Sequence, residues 1–486
     1  MKKSILRMAL VVFLVIFAFL VPKVENVGAI AQSLVIWDDP IRLSDPTTMS
    51  YNPTLAVDKS GQVHVFWSQD MGTAPGHSDS IFYSRFEGDD WTQPLDVLVS
   101  NVGMDWAEFP DAAVSSDGTL HLVWNSGGQD AHVMYANGPA CCAENVTMWS
   151  KPVSLNLPIL DDPNIVVDSN DQLHIAYAIF DQKNIVYQNS NDGGLTFSDP
   201  LPIPNGANRP DEYAIYPRMA VDDLGRIHLV WTMQPWPGRS VMYSRSDDNG
   251  KTWLSPITID SQDRPGYKES YGPILIDIRT IGNNQVHLIW DGAPTVERNH
   301  FYSLDGGQTW SGPNLVFPEV TGAGRSGFNE MAVDSNGTLH AVSIRGPLHS
   351  SWNGTSWSAS QDIALTNYKG DAELMRFKIG LGNQLHVVWL DKNERIFTVW
   401  YVHGTSTSPG IAPQALPTFE ATVGIKPNIE LVLTATSQIP SATQVDLGKP
   451  EKRSSPVVPI FIGLVPALIL MGFIIWKDIN SKRNLP

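Results

Sequence analysis

One phrase recurs seven times along the chain and limits what it can fold into. A small apolar residue and Val-Asp lead into a short polar turn, followed by an alternating apolar run that contains a histidine. The copies read "LAVDKSGQVHVFW", "AAVSSDGTLHLVW", "IVVDSNDQLHIAY", "MAVDDLGRIHLVW", "LIDIRTIGNNQVHLIW", "MAVDSNGTLHAVS" and "FKIGLGNQLHVVW". Their histidines, His64, His121, His174, His228, His287, His340 and His386, lie 46 to 59 residues apart. Period-two apolar runs on either side of a Gly/Asn/Asp turn specify a β-hairpin. A third strand follows, as in "IFYSR", "VMYAN", "IVYQN", "VMYSR" and "HFYSL". A fourth opens on an aromatic with proline three residues later, at Trp91, Trp149, Phe197, Trp253 and Trp310, while Trp357 lacks the proline. Four antiparallel strands at this period predict the blades of a β-propeller.

The two ends are expected to close the ring. The hairpin around His386 has a third strand, "IFTVWYVHG", but no fourth, and an orphan fourth strand, "VIWDDPIRL", stands near the N-terminus. Docked on the last blade, it completes seven blades and removes an exposed sheet edge. The expectation is an all-β, seven-bladed propeller of four-stranded antiparallel blades over residues 33–404. One histidine per blade at a fixed place in the second strand predicts a recurrent buried hydrogen bond rather than a reaction centre.

Three loops share a second phrase: "SNDGGLTF", "SDDNGKTW" and "SLDGGQTW", with "SRFEGDDW" and "SSWNGTSW" as decayed copies in the same frame. The phrase resembles the Asp-box, or bacterial neuraminidase repeat, and there the chain is similar to the sialidase superfamily. Its chemistry suits a turn. Asp192, Asp248 and Asp305 cap backbone N–H groups, Gly194, Gly250 and Gly307 take positive φ, and Phe197, Trp253 and Trp310 pack between sheets. The resemblance likewise implies a structural role remote from the reaction. It also implies six blades, the alternative to the seven counted from the hairpins.

Aligning the hairpins on the Asp of "VD" and stepping back four residues gives an expected ring at the channel mouth: Thr54, Asp111, Asn164, Arg218, Pro273, Glu330 and Arg376. Trp106, Glu108, Glu212, Tyr213, Tyr216, Glu269, Tyr271 and Arg325 lie just upstream. A mouth with both charge signs and several aromatics suits a polar ligand such as a sugar, and self-paired rim charges are the competing reading. Arg218, Arg325, Glu330 and Arg376 are the ligand-binding candidates. The resemblance implies more: an arginine cluster gripping a carboxylate, Tyr216 or Tyr271 as nucleophile, Glu212 or Glu269 as its base, and Asp111 as acid. The superfamily's early Arg-Ile-Pro motif is absent, and Arg42 in "IRLSDP" falls in the orphan rim strand. The reading is therefore a surface that binds a glycan or an extracellular protein. The alternative is an exo-acting sialidase or other glycoside hydrolase.

No cofactor is expected, and no metal spacing is present. The two cysteines, Cys141 and Cys142, are adjacent, which fits a strained vicinal disulfide or two thiols. A net charge of −17 gives no basic surplus for nucleic acid. Lys2, Lys3 and Arg7 precede an apolar run and Ala29-Ile30-Ala31, the pattern of a signal peptide over residues 1–31. Residues 405–455 are expected to form a Ser/Thr/Pro-rich stalk, 456–476 an uncharged transmembrane helix long enough to span a bilayer, and 477–486 a basic cytoplasmic tail. The expected location is the cell membrane, with one C-terminal helix and the propeller outside. Asn145, Asn336 and Asn353 begin glycosylation sequons.

Overall fold

The computed structural model describes residues 34–416 except 73–77, 88–89, 100–105, 128–131, 159–162, 180–182, 208, 235–239, 262, 264–273, 293–296, 319–328, 344–346, 364–370 and 394–395. The expected leader, the stalk beyond residue 416, the membrane span and the tail lie outside the described residues. Among the described residues no helix is long and apolar enough to cross a membrane.

Seven antiparallel sheets follow one another along the chain. Their inner strands are Ser50–Val57, Ala107–Val114, Asn164–Val167, Tyr213–Val221, Ile274–Ile281, Asn329–Val333 and Asp371–Gly380, numbered here as blades 1 to 7. Seven blades, not six, is the arrangement. The orphan N-terminal strand joins blade 7: Val35–Trp37 pairs with the strand Ile396–Ser406, with Ile36 opposite Thr405 and Trp37 opposite Gly404. Ile41 and Arg42 pair with the same strand at Tyr401 and Trp400. The first described residues thus finish the last sheet, and no open edge remains between the chain ends.

The second strands are buried on both faces, as in Val63–Gln69 and Ile227–Gln234, because each blade is covered by a neighbour on either side. Trp67, Trp231, Trp290 and Trp389 close these strands at the same position and are fully buried. Removing one such indole costs about 3–5 kcal/mol.

Each histidine links its own sheet. His228 Nδ1 lies 2.7 Å from Tyr243 Oη on the third strand, and its Nε2 lies 3.2 Å from Asp222 of the hairpin turn. His64, His121, His174 and His386 meet Tyr83, Tyr135, Tyr187 and Tyr401 in the same way. Blades 5 and 6 substitute a second histidine: His287 Nδ1 is 3.0 Å from His300 and His340 Nδ1 is 2.9 Å from His349. Burial disfavours the cation at His64 and His228, and holds His121 at about 4 and His287 and His386 at about 3.

The chain stays on the propeller after the last strand. Ser335 Oγ donates to the Pro409 carbonyl (2.7 Å), Ile411 N to Leu381 (2.6 Å) and Gln414 N to Lys59 (2.9 Å). Leu416 then packs into the cluster between blades 1 and 2. Residues 407–416 therefore run along the hairpin turns of blades 6, 7, 1 and 2, across the seam where the ring closes.

Candidate functional site

A propeller has two unlike faces. One carries the hairpin turns and the turns between third and fourth strands. The other carries the crossovers from each outer strand to the next inner strand, and the channel opens there.

On the turn face the S-x-D-x-G-x-T phrase builds the same structure three times. Asp192 Oδ1 accepts from Thr196 N (2.9 Å) and Oδ2 from Thr196 Oγ1 (2.6 Å), while Ser190 Oγ accepts from Gly194 N (2.9 Å). Asp248 and Asp305 repeat the set with Thr252 and Thr309. The Thr196 hydroxyl and amide hold the Asp192 carboxyl down at about 2. The glycine of each turn meets the preceding blade. A Cβ on Gly194, Gly250 or Gly307 would lie 1.8, 2.3 or 1.9 Å from the hydroxyl of Tyr135, Tyr187 or Tyr243. The aromatic that ends the phrase packs edge-on against that same tyrosine, with ring centroids 4.8 Å apart for Phe197, 5.2 Å for Trp253 and 5.0 Å for Trp310. In blade 4 a continuous chain thus runs from Asp222 through His228 and Tyr243 to Gly307 and Trp310 of blade 5, and blades 2 and 3 share its His–Tyr–Gly–aromatic part.

The crossover face does not repeat. Inner strands begin about four residues before the aligned ring, at Ser50, Ala107, Tyr213 and Asp371. At roughly 3.3 Å per residue the ring lies some 13 Å inside the channel rather than at its mouth. Between mouth and ring, five inner strands carry a register shift with a left-handed residue: Asn52, Phe109, Tyr216, Leu275 and Leu374, at φ 48°, 53°, 55°, 54° and 39°. Such bulges re-aim the side chains beyond them, and a non-glycine residue there is strained by about 1–3 kcal/mol. Because five blades share it, the conformation of Tyr216 belongs to the architecture rather than to one site.

The register opposite the second strands corrects the ring in blade 5. Asp277 lies opposite Ile289, as Thr54 lies opposite Phe66 and Arg218 opposite Val230, so Asp277 and not Pro273 completes the set. Blade 5 lacks the Val-Asp: Ile281, six residues before His287, stands where Asp58 stands before His64, and the Asp of Leu-Ile-Asp is the ring residue itself. The ring acids reach the next blade. Asp111 Oδ2 accepts from Ile165 N (3.0 Å) and Asn164 Nδ2 (2.8 Å), and its Oδ1 from Thr54 Oγ1 (3.3 Å). Asn164 Oδ1 accepts from Met219 N (2.8 Å), Asp277 Oδ2 from Met331 N (2.7 Å) and Glu330 Oε2 from Phe377 N (2.7 Å). Arg376 Nε lies 3.4 Å from Glu330 Oε1. Burial raises the Glu330 carboxyl, and Arg376 opposes it.

Of the candidates, Asp111, Arg218, Glu330 and Arg376 share the ring, with Arg218 and Arg376 three blades apart. Glu212, buried at the mouth of blade 4, accepts from Arg209 N (3.2 Å), and Tyr216 packs into the cluster between blades 3 and 4. Glu269, Tyr271 and Arg325 lie outside the described residues.

The mouth holds aromatics that the candidate set omitted. Trp106 is half-buried, and its indole occupies the space a Cβ on Gly127 would need, within 1.6 Å. Gly127 N donates to the Trp106 carbonyl (3.0 Å). Tyr51 meets Phe397 with ring centroids 5.7 Å apart, and Lys392 Nζ lies 5.6 Å from the Phe397 ring. Among the described residues no group of His, Cys, Asp and Glu is arranged to hold a metal. Both cysteines are free, and burial raises the Cys141 thiol to about 11.

No protein-family profile matches the chain, and no curated protein matches it. Solved structures do. The BP39L lectin from Burkholderia pseudomallei is 13% identical, covering 76% of this chain and 100% of that one, at a TM-score of 0.53. A polysaccharide lyase, the ulvan lyase of family PL25, is 12% identical over 75% of this chain and 95% of that one, at 0.52. The NanB sialidase from Streptococcus pneumoniae is 12% identical over 77% of this chain and 70% of that one, at 0.42. Identity this low speaks to fold alone, and the fold is a seven-bladed β-propeller.

Proposed function

We propose that the chain is an exported carbohydrate-binding propeller, held at the cell surface by its C-terminal apolar stretch, that takes a glycan at the channel mouth. The observation that carries this reading is Trp106, a half-buried indole laid on the backbone of Gly127 at the crossover face. An aromatic plate fixed in this way suits the apolar face of a sugar ring, and the polar ring below offers hydrogen bonds. The lectin with this fold is consistent with the reading. The ring acids favour binding over hydrolysis, because Asp111, the candidate acid, already takes three hydrogen bonds from blades 1 and 3.

The second reading is a glycoside hydrolase of exo-sialidase type, with Arg218 and Arg376 gripping a carboxylate and Tyr216 or Tyr271 as nucleophile. A glycan panel and a fluorogenic sialoside, run on the wild type and on Trp106→Ala, Arg218→Ala and Arg376→Ala, separate the two. Binding that depends on Trp106 without turnover supports the lectin-like reading. Turnover abolished by both arginine changes establishes the hydrolase instead.

A further inference from the structure

Two residues below the ring, each inner strand presents a side chain at the level of the repeated histidines. Ala56, Ala113, Val166, Ala220 and Ala332 lie opposite His64, His121, His174, His228 and His340. The remaining two positions are Arg279, opposite His287, and Lys378, opposite His386. This level of the channel therefore has two cations and no acidic or amide side chain. Arg279 Nη1 turns back to Asp277 Oδ1 (2.6 Å) and the Ile278 carbonyl (2.6 Å). Lys378 makes no hydrogen bond or ion pair among the described residues, although it is half-buried. The acids above are committed to backbone amides of their neighbours.

Lys378 experiences the charges of Arg279, Glu330, Asp111 and Asp277, which belong to blades 5, 6, 2 and 5. Lys378 shares the pleat face of the ring residue Arg376, two positions along the same strand. Burial, with Arg279 as the second cause, lowers the proton affinity of the amine, and the acids oppose both. A half-buried ammonium without a hydrogen bond is costly, and a second cation beside it adds repulsion. An anion between them relieves both penalties, and the other five inner strands present only Ala or Val at this level.

We propose that Lys378 and Arg279 form an anion site inside the channel, below the glycan-binding mouth, for a small monovalent anion of chloride size. It stabilises the ring from within and does not depend on what the mouth binds.

The test is thermal unfolding of the full chain titrated with chloride, against the bulky buffer anion MES at equal ionic strength. Wild type is expected to gain stability with rising chloride, as a ligand of the folded state requires. Lys378→Met is expected to weaken that response at least roughly tenfold in chloride concentration. Lys59→Met, which changes an exposed turn lysine, should leave it unchanged. An equal response in both variants overturns the proposal, as does none in wild type. Should Lys378→Met fail to fold, diffraction from wild-type crystals soaked in bromide decides: an anomalous peak against Lys378 supports the site, and a channel without one overturns it.

Discussion

The two faces of this propeller are built on opposite principles. On the turn face similar residues return at the same positions: each blade has its histidine bonded to a Tyr or His of the next strand, and Tyr, Gly and an aromatic join blades 2 to 5. On the crossover face almost nothing returns: the ring reads Thr54, Asp111, Asn164, Arg218, Asp277, Glu330 and Arg376. Repetition marks what every blade needs in order to stack. Departure from repetition marks where one blade does something its neighbours do not, and the Trp106 plate and the Lys378–Arg279 pair both lie there.

The comparison breaks most sharply at glycine. In Gly307→Ala the new methyl meets Tyr243 Oη at 1.9 Å with φ at +87°, so a loss of about 3 kcal/mol or more is expected in chemical unfolding. Gly193→Ala, at φ +71° with nothing within 4 Å, should cost only about 1 kcal/mol. Equal losses would show that backbone conformation, not the contact between blades, makes these glycines necessary.

Acid should open the turn-face network next. The histidines fall from an ordinary 6.5 to about 4 at His121 and about 3 at His287 and His386, because burial disfavours the cation. The unfolded chain therefore binds protons first as pH falls. The stability these groups give is full above pH 6.5 and is lost on descent toward the folded values. Melting temperature should be level above neutrality and fall steadily below about pH 6.5. Blades 5 and 6, with paired histidines, should be the weak sector, since burial holds His300 and His349 well below their ordinary value. His349→Tyr, which restores the pairing used by the other blades, should reduce the acid loss.

A smaller effect separates hydrogen bonding from packing. Tyr243→Phe keeps the ring against Trp310 but removes the partner of His228 Nδ1, and about 1–2 kcal/mol should be lost. Smallest for stability, and largest for binding, is Trp106→Ala at the mouth. Stability should change by less than about 1 kcal/mol, while glycan affinity should fall roughly tenfold or more.

The same division explains what the sequence disclosed. Seven hairpins, their closure by Val35–Trp37 and the buried histidine bonds were legible because each is repeated, and repetition multiplies a weak signal. The depth of the ring was not. The bulge residue is Asn, Phe, Tyr or Leu, so composition gives no cue, and the inner strands of blades 1, 2, 4 and 7 start four or five residues before the ring. One cue was present: Pro53, Pro110, Pro163 and Pro217 each precede a ring residue in blades 1 to 4, and proline lacks the N–H that a bulge leaves unpaired. Blade 5 has no such proline before Asp277, and its Leu-Ile-Asp imitates the Val-Asp that comes four residues later in blades 1, 3, 4 and 6. Trp106 stood in the sequence as one upstream aromatic among several. Only the folded chain sets it on Gly127.

The most direct test of this account measures stability and glycan affinity together in two variants, Asp192→Ala on the turn face and Trp106→Ala at the mouth. The account predicts opposite losses: Asp192→Ala unfolds more easily but binds normally per folded molecule, whereas Trp106→Ala stays stable and loses binding. A Trp106→Ala protein that binds a glycan as tightly as the wild type would contradict it.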